Sequence, residues 1–520
     1  MVVVTSRTTS FSHYYCCCCP RYGPRRQSSL VTVVTTIMLV SLFRLAQGLP
    51  LSRTLQAVGM PSSFVRGKRR QRDTALFQST MNHNDNHHQE SDKNIHPSLR
   101  PIHSLTSHIT TINLPSNQRV LAYCLSDLHA DGTSDNWSWI TDRCVPPPTT
   151  TSHDQCYNIL IVPGDMANSI PSLRRCFRFL AAHWDAVCYC VGNHEAWVQD
   201  EEVEEDNDTE DLHDSPECNV DNDDGNAANN CERTSVDQLT DVLNLAKEEG
   251  IHVGPVCLQY KNQNDRNDND NKLPLWMVPL QSFYHSSWDT EPDLQDPAIL
   301  AAEQRRSFRQ RWNDFRNMKW PTALTTHEEF TQGENGRGGS LALARAFGDL
   351  NTAFLDSFEK EERPVSTHTT ILSFSHYVPR IELSPEKRFL IAPQLARVIG
   401  SNRLEEDIRR LRPDLHLFGH THIPIGLKCD GIRYAQWPLG YPKEATRQCR
   451  TVVATGPMLV FDSSLRQSQP SASGVPSCTE AEQSHWSRHY QIYKRDPNNL
   501  EPAPWLRERL ERIGRRTARK

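Results

Sequence analysis

The chain is 520 residues long, which allows two or three domains of ordinary size or one elaborated α/β domain. Its hydrophobic content of 37% and its mean hydropathy of -0.62 are low for a fully packed chain of this length, so we expect substantial solvated segments. The net charge of -6 is too small to indicate a nucleic-acid partner.

The N-terminal part has the composition of a targeting leader. An uncharged apolar run at residues 30–43 follows Arg21, Arg25 and Arg26, as in a signal peptide or a short signal anchor. A second basic stretch at residues 65–72 is compatible with a transit peptide. A disordered leader with an incidental apolar run is the alternative. We therefore expect a leader and linker over residues 1–110, with secretory-pathway entry, membrane anchoring or plastid targeting open, and with membrane contact through the leader as one consequence.

The cysteines do not indicate a disulfide framework or a structural zinc site. The chain has 16 cysteines, and those outside residues 16–19 include no CxxC pair and have no regular spacing. The other four stand together at residues 16–19, where acylation and an inert cluster are the alternatives.

Three apolar runs follow the linker, and each ends in polar residues. They cover residues 119–129, 157–165 and 186–195, and an amphipathic stretch of helical length at residues 170–184 separates the last two. Continuous apolar strands that alternate with a helix predict a sheet covered on both faces.

Two polar inserts interrupt this pattern. Residues 200–232 contain no Lys or Arg and are rich in Asp, Glu and Asn. Charges of one sign at this density repel, which favours disorder, and the spacing of a calcium-binding loop is missing. We place disordered inserts at residues 199–234 and 261–272.

Further elements are predicted downstream of the first insert. A helix begins at Ser235, which with Gln238 would form a capping box, and ends before Gly250. The remaining predictions are strands at 273–285, 368–376, 415–422 and 451–462, helices at 298–315 and 341–358, and a hairpin turning at Asp430-Gly431. These predictions place one folded domain at residues 111–465.

A polar to basic tail is predicted at residues 466–520. Contact with a membrane surface or a partner and a solvated terminus are its alternatives.

Candidate ligands stand at the C-terminal ends of five predicted strands. They are Asp127 and His129, then Asp165, then Asn193 with His194 and Glu195, then His376, and finally His420 and His422. Strand ends are where ligands bind in α/β sheets. A single polar residue there is usually a cap, but five such ends together indicate a site.

The chemistry of these donors indicates a pair of metal ions. Two aspartates, one asparagine and four histidines exceed the ligands of one four-coordinate ion. They suit two ions roughly 3.5–4 Å apart that share a carboxylate. Such a pair clamps a phosphoryl group and turns a bound water into the nucleophile near neutral pH.

The ordered motifs DxH, GD, GNHE, H and GHTH resemble those of the calcineurin-like metallophosphoesterases over residues 119–462. The resemblance implies an α/β fold in four layers, with a ββ sandwich core flanked by helices. It also implies two divalent or trivalent ions, with Mn, Fe and Zn as the candidates.

Carried onto this chain, the resemblance implies two subsites that share one carboxylate. These are a first subsite of Asp127, His129 and His422, a second subsite of Asn193, His376 and His420, and the bridging Asp165. His194 would donate a proton to the leaving oxygen or stabilise charge on the phosphoryl group. Glu195 would orient His194, with a structural cap as the alternative.

The second motif differs from that of one branch of the family. The second motif reads GDMANSI and lacks the Asp-Arg-Gly of the Ser/Thr protein phosphatase branch. The segments at residues 373–380, 388–401 and 430–444 instead look like a plant and algal subgroup of uncertain substrate.

Four further residues are weaker candidates for the site. Arg380, Arg433 and Lys443 could supply phosphate-binding charge, with an ordinary surface role as the alternative for each. His285, at the end of a predicted strand, is a further candidate for the cleft.

The sequence thus favours a metal-dependent hydrolase of phosphoric mono- or diesters, with a phosphate ester as its partner. The alternative is a catalytically silent scaffold that kept the fold and binds a partner. A secreted or membrane-tethered lipid or sugar phosphatase would differ only in substrate and location. The oligomeric state is not indicated.

Overall fold

A computed structural model describes residues 94–115, 118–131, 135–147, 156–198, 232–261, 274–305, 307–333, 337–360, 369–442, 444, 455–468 and 473–517. The predicted leader up to residue 93, the cysteine cluster, most of both inserts and Lys443 lie outside these residues. Among the helices of the described ranges, none combines the length and the apolar character needed to cross a membrane.

Two β-sheets form the centre of the fold. The strands are β1 (Thr110–Pro115), β2 (Val120–Cys124), β3 (Tyr157–Pro163), β4 (Ala186–Cys190), β5 (Val256–Lys261), β6 (Leu275–Pro279), β7 (Thr370–Phe374), β8 (Leu415–Phe418), β9 (Ile425–Cys429), β10 (Ile432–Gln436) and β11 (Met458–Asp462). One sheet has the order β1-β5-β6-β7-β8-β10-β9 and the other β11-β2-β3-β4. Apolar residues of both sheets belong to one buried core.

Helices cover the sheets. They are α1 (Arg100–Thr106), α2 (Asp135–Arg143), α3 (Ile170–His183), α4 (Ser235–Glu248), α5 (Pro297–Arg305), α6 (Phe308–Arg311), α7 (Asp314–Asn317), α8 (His327–Gln332), α9 (Leu341–Asp349), α10 (Thr352–Lys360), α11 (Asn402–Leu411), α12 (Ser463–Ser468), α13 (His485–Ile492) and α14 (Pro504–Thr517). The expected α/β architecture, two sheets flanked by helices, is confirmed.

Parallel pairing brings the candidate ligands to one edge of each sheet. Strands β2, β3 and β4 run parallel in one sheet, and β7 and β8 run parallel in the other. Every residue of β4, β7 and β8 is buried, as the continuous apolar runs predict. The carboxyl ends of parallel strands meet at the same edge, so five separate motifs converge.

The folded region is longer than the sequence predicts at both ends. Helix α1 precedes the expected boundary at residue 110, and both its N-cap Leu99 and its residue Ile102 are fully buried. The segment expected to be a polar tail from residue 466 also packs: Ala481 and Leu506 are fully buried. At the N-terminal end, Ile95, Leu99 and Ile102 have helical spacing, but the run is short and stands among polar residues.

Three local features lie within a few residues of their predicted positions. The capping box of α4 is formed by Thr234 and Asp237, one residue before the predicted pair, because the Ser235 hydroxyl accepts the Lys319 N–H instead. The second insert was placed too early, since Lys261 ends β5. The hairpin turn at Asp430-Gly431 is confirmed, with φ of 48° and 88° at these residues.

Two predicted helices are divided in the structure, and two strands are not predicted from the sequence. The helix expected at 298–315 is divided into α5, α6 and α7, and the one at 341–358 into α9 and α10. Strands β1 and β5 were not predicted. They pair in parallel with each other at one end of the seven-stranded sheet, where burial is incomplete and the pattern weaker.

His416 in β8 should make the fold sensitive to acid. Its ring is fully buried between the hydroxyls of Ser373 and Ser375, and burial lowers its pKa from 6.5 to about 3. Below pH 6.5 the unfolded chain therefore takes up a proton that the folded chain does not. Stability should fall by up to about 1.4 kcal/mol per pH unit between pH 6.5 and 3.

Urea unfolding of metal-free protein at pH 7, 6 and 5 measures this dependence. His416→Gln should have a correspondingly shallower loss of stability over that range, whatever its stability at pH 7. Equal pH dependence of the wild type and the variant would contradict the assignment.

Candidate metal centre

The first group of ligand atoms comes from Asp127, His129, Asp165 and His422, and these atoms all lie within 4.8 Å of one another. The Nε2 atoms of His129 and His422 are 3.0 Å apart. His422 Nε2 lies 3.5 Å from Asp127 Oδ1, and His129 Nε2 lies 3.9 Å from Asp165 Oδ2. This group is the predicted first subsite together with the predicted bridge.

The second group comes from Asp165, His376 and His420, again within 4.8 Å. His376 Nε2 lies 3.4 Å from Asp165 Oδ1 and 3.1 Å from His420 Nδ1. The Asn193 Oδ1 atom lies 3.0 Å from the former nitrogen and 2.9 Å from the latter. The structure thus brings all seven sequence-predicted ligands together, with Asp165 in both groups.

The outer hydrogen bonds of three imidazoles indicate that the inner nitrogens of the neutral rings are lone-pair donors. His376 Nδ1 faces the Pro163 carbonyl at 3.0 Å, and His420 Nε2 faces the Val398 carbonyl at 3.0 Å. His422 Nδ1 faces Glu444 Oε2 at 2.8 Å. Each acceptor requires the proton on that outer nitrogen, so the other nitrogen carries a lone pair.

Lone pairs and carboxylates that converge without a hydrogen between them repel, and a cation relieves this repulsion. Burial lowers the pKa of His376 to about 4 and that of His420 well below its ordinary value. Burial, followed by the nearby charges of Glu195 and Asp127, raises the pKa of Asp165 well above its ordinary value. The buried Asp/His cluster therefore has the composition of a metal site, with histidines that stay neutral and a carboxyl group whose ionised form a nearby cation would favour.

The backbone of the ligands is strained. Seven non-glycine residues in the described ranges have positive φ, and five are predicted ligands: Asp127, His129, Asp165, His420 and His422. Left-handed backbone costs about 1–3 kcal/mol at a non-glycine residue and clusters at functional sites. The strand-to-loop turns therefore have a conformation that aims side chains at one another at a cost in stability.

Two glycines leave the space into which the ligands fit. A Cβ on Gly164 would lie 2.5 Å from His376 Nδ1, and a Cβ on Gly192 would lie 2.2 Å from Asp165 Oδ1. Both glycines thus allow the backbone of these turns to approach the candidate ligand side chains closely.

Gly192→Ala should weaken metal binding at both ligand groups, because the added methyl group displaces the shared Asp165. Overpacking of this kind also costs about 1–3 kcal/mol of stability. Metal content and urea unfolding measure the two effects. Gly456→Ala is the control, since its Cβ would meet only the Arg143 carbonyl at 3.7 Å. Normal metal content in Gly192→Ala would contradict the geometry.

His194 lies beside the cluster. Its Nε2 is 3.8 Å from Asp165 Oδ2 and 3.0 Å from the Tyr441 hydroxyl, and its Nδ1 is 2.5 Å from Asn168 Oδ1. Burial lowers the pKa of His194 well below its ordinary value. Because the Asn168 oxygen accepts from Nδ1, the neutral ring presents Nε2 as an acceptor to the Tyr441 hydroxyl.

Glu195 does not orient His194 as predicted. Its buried carboxylate accepts the backbone N–H groups of Gly192, Asp165 and Met166, at 2.7, 3.1 and 2.6 Å. Asn168 takes the predicted place at the His194 ring. Burial raises the pKa of Glu195 to about 7. Glu195 thus ties the loops after β3 and β4 together, which corresponds to the structural alternative.

Other residues of the site had no signal in the sequence. Asp314 Oδ1 accepts from Asn193 Nδ2 at 3.0 Å and from Trp197 Nε1 at 2.8 Å, which turns Asn193 Oδ1 towards the histidines. Burial raises the pKa of Asp314 to about 6. Asn168 and Tyr441 are likewise brought in by folding alone.

The weaker candidates have other partners. Arg380 contacts Glu382, Glu405 and Asp430 at 2.8 Å each. Arg433 contacts Glu482.

His285 is also engaged elsewhere. Its Nδ1 lies 2.7 Å from the Ser287 hydroxyl, and neither ligand group includes this histidine.

Comparisons with known proteins give distant likenesses. No family model matches the chain, and no curated protein matches it. Phosphopantetheinyl hydrolase (PptH) from Mycobacterium tuberculosis is 14% identical, with a TM-score of 0.37 over 63% of this chain and 92% of that one. A Staphylococcus aureus protein described as a 5'-nucleotidase, in complex with alpha-ketoglutarate, is 12% identical, with a TM-score of 0.24 over 61% of this chain and 48% of that one. Likenesses this distant do not identify a substrate, so the function is inferred from the residues of the site.

Proposed function

We propose that the protein is a metal-dependent hydrolase of phosphoric esters that holds two cations with Asp165 between them. The observation that carries this proposal is the pair of ligand groups that share Asp165. One ion does not need two overlapping sets of buried donors. A binding scaffold has no need of the strained backbone that aims them.

Each cation would have a distinct set of donors. The first subsite offers Asp127, His129 and His422, and the second offers Asn193, His376 and His420. Mixed imidazole and oxygen donors suit Mn, Fe and Zn. When bound, a cation pair supplies Lewis acidity to a phosphoryl oxygen and makes water a nucleophile near neutral pH.

The chain's own residues would act around that pair. His194 presents Nε2 towards the shared carboxylate. Once an anionic ester bound beside the ring favours the protonated form, Nε2 would give its proton to the leaving oxygen or stabilise charge on the phosphoryl group. Asn168 fixes the ring from the other side. Glu195 holds the backbone of the two loops that carry Asp165 and Asn193.

The test uses the full chain, because residues before 110 and after 465 belong to the packed structure. Metal-free protein is reconstituted with Mn²⁺, Fe²⁺ or Zn²⁺ and assayed with aryl phosphate monoesters and diesters. We expect turnover with at least one metal. Two bound ions without turnover of any ester would favour the catalytically silent scaffold instead.

Lipid phosphates and sugar phosphates extend the same screen. Activity confined to one of these classes would identify the substrate class. The comparison of phosphate monoesters with phosphate diesters separates a monoesterase from a diesterase.

A further inference from the structure

A backbone hydrogen bond from Glu444 to Tyr441 forms a turn, and these two residues lie against the first subsite. The Tyr441 ring stacks on His129, with centroids 4.1 Å apart and planes 21° apart, and meets the His422 ring edge-on at 5.2 Å. Glu444 Oε2 accepts from His422 Nδ1 at 2.8 Å. Two residues of one turn thus contact both imidazoles of one subsite.

Two hydrogen bonds join Tyr441 and Glu444 to each other. Glu444 N–H donates to the Tyr441 carbonyl at 3.0 Å, and Glu444 Oε2 accepts the Tyr441 N–H at 3.0 Å. The same carboxylate oxygen therefore joins the backbone of the turn to the ring of His422. An outer carboxylate held in this way fixes both the tautomer and the direction of the imidazole.

The residues before the turn fasten it to the loop that carries the first ligands. Leu439 N–H donates to the Ser126 carbonyl at 2.8 Å, and Gly440 N–H donates to the Asp127 carbonyl at 2.7 Å. The Gly440 carbonyl accepts from Asn136 Nδ2 at 2.8 Å. Movement of the turn would therefore move the first subsite.

The second subsite is supported differently. The outer nitrogens of His376 and His420 meet backbone carbonyls, and Asn193 is held by the buried Asp314. The Glu444 side chain, by contrast, is 32% exposed. The outer partner of His422 in the first subsite is thus a charged and partly exposed side chain, whereas the outer partners in the second subsite are buried.

We propose that Glu444 is a positioning residue that sets the affinity of the first subsite through His422, independently of the second subsite. The proposal rests on the cation pair of the proposed function. The carboxylate keeps the proton of His422 on Nδ1 and adds negative charge behind the ring, and both effects strengthen Nε2 as a donor. Asp314 is the corresponding support of the second subsite, acting through Asn193.

The test is Mn²⁺ titration of the metal-free full chain in two backgrounds that each retain one subsite. His420→Ala removes a ligand of the second subsite, and His422→Ala removes one of the first. Glu444→Gln, Glu444→Ala and Asp314→Asn are introduced into each, with unfolding measured throughout.

In the His420→Ala background, Glu444→Gln should weaken Mn²⁺ binding about 10-fold and Glu444→Ala about 100-fold. Asp314→Asn should leave this affinity within about twofold. In the His422→Ala background the pattern should reverse, with only Asp314→Asn weakening the remaining ion.

A structural effect of Glu444 would lower affinity equally in both backgrounds, and that result would overturn the proposal. So would unchanged affinity in both, or a His420→Ala protein that binds no Mn²⁺. No ester enters the titration, so the outcome is independent of whether the protein proves to be a hydrolase.

Discussion

Replacing Asp165 by Asn should slow ester hydrolysis roughly 10³-fold and weaken the binding of both cations. Asp165 is the one residue present in both ligand groups, and it is 1% exposed. The neutral amide removes the shared negative charge and keeps the side-chain shape. Losing about 4 kcal/mol of charge stabilisation corresponds to roughly a 10³-fold loss of turnover.

Metal content after dialysis and turnover of an aryl phosphate measure the two effects. Asp142→Asn is the matched control, because Asp142 is an exposed carboxylate that pairs with its neighbour Arg143. If Asp165→Asn lost only one ion, Asp165 would belong to a single subsite, and the bridging assignment would fail.

Replacing His194 by Ala should slow turnover about 10²–10⁴-fold and leave metal content unchanged. His194 lies beside the shared carboxylate and belongs to neither ligand group. Proton donation predicts a larger loss for alkyl esters than for aryl esters, because an aryl leaving oxygen needs less protonation. Charge stabilisation on the phosphoryl group predicts similar losses for both.

His183→Ala is the control for that experiment, since His183 lies at the exposed end of α3 with Nδ1 on the Phe179 carbonyl. Loss of one or both ions in His194→Ala would show that this residue is a ligand and would sink the assigned role.

The convergence of the candidate ligands was predictable from sequence because they follow the ends of strands. An apolar strand has a strong signal, and a short polar motif directly after it has a defined place in a parallel sheet. Asp127, Asp165 and His376 each follow such a strand, so topology brings them together once the strands pair. Short spacing within motifs then places the remaining ligands.

The supports of the ligands were not predictable in the same way. Asp314 reaches Asn193 across 121 residues, and Tyr441 reaches His194 across 247. Such contacts depend on how loops pack, and no local pattern encodes them. For the same reason Glu195 was given the wrong partner: its sequence neighbour is His194, but its carboxylate turns back to the backbone of its own loop and of the preceding one.

The packed residues outside the expected domain bounds of 111 and 465 were missed for a different physical reason. Leu99 and Ile102 lie in a segment of few apolar residues, and so does Leu506 near the other end of the chain. Each becomes buried only because a partner surface exists in the folded protein. Ile95, Leu99 and Ile102 have helical spacing, but a run this short does not by itself set a domain boundary.

The most direct test of the cation pair is anomalous X-ray diffraction from crystals of the full chain grown with Mn²⁺. We expect two peaks roughly 3.5–4 Å apart, one beside each subsite, with the Asp165 carboxylate between them. A single peak, or two peaks of which only one contacts Asp165, would contradict the shared metal centre.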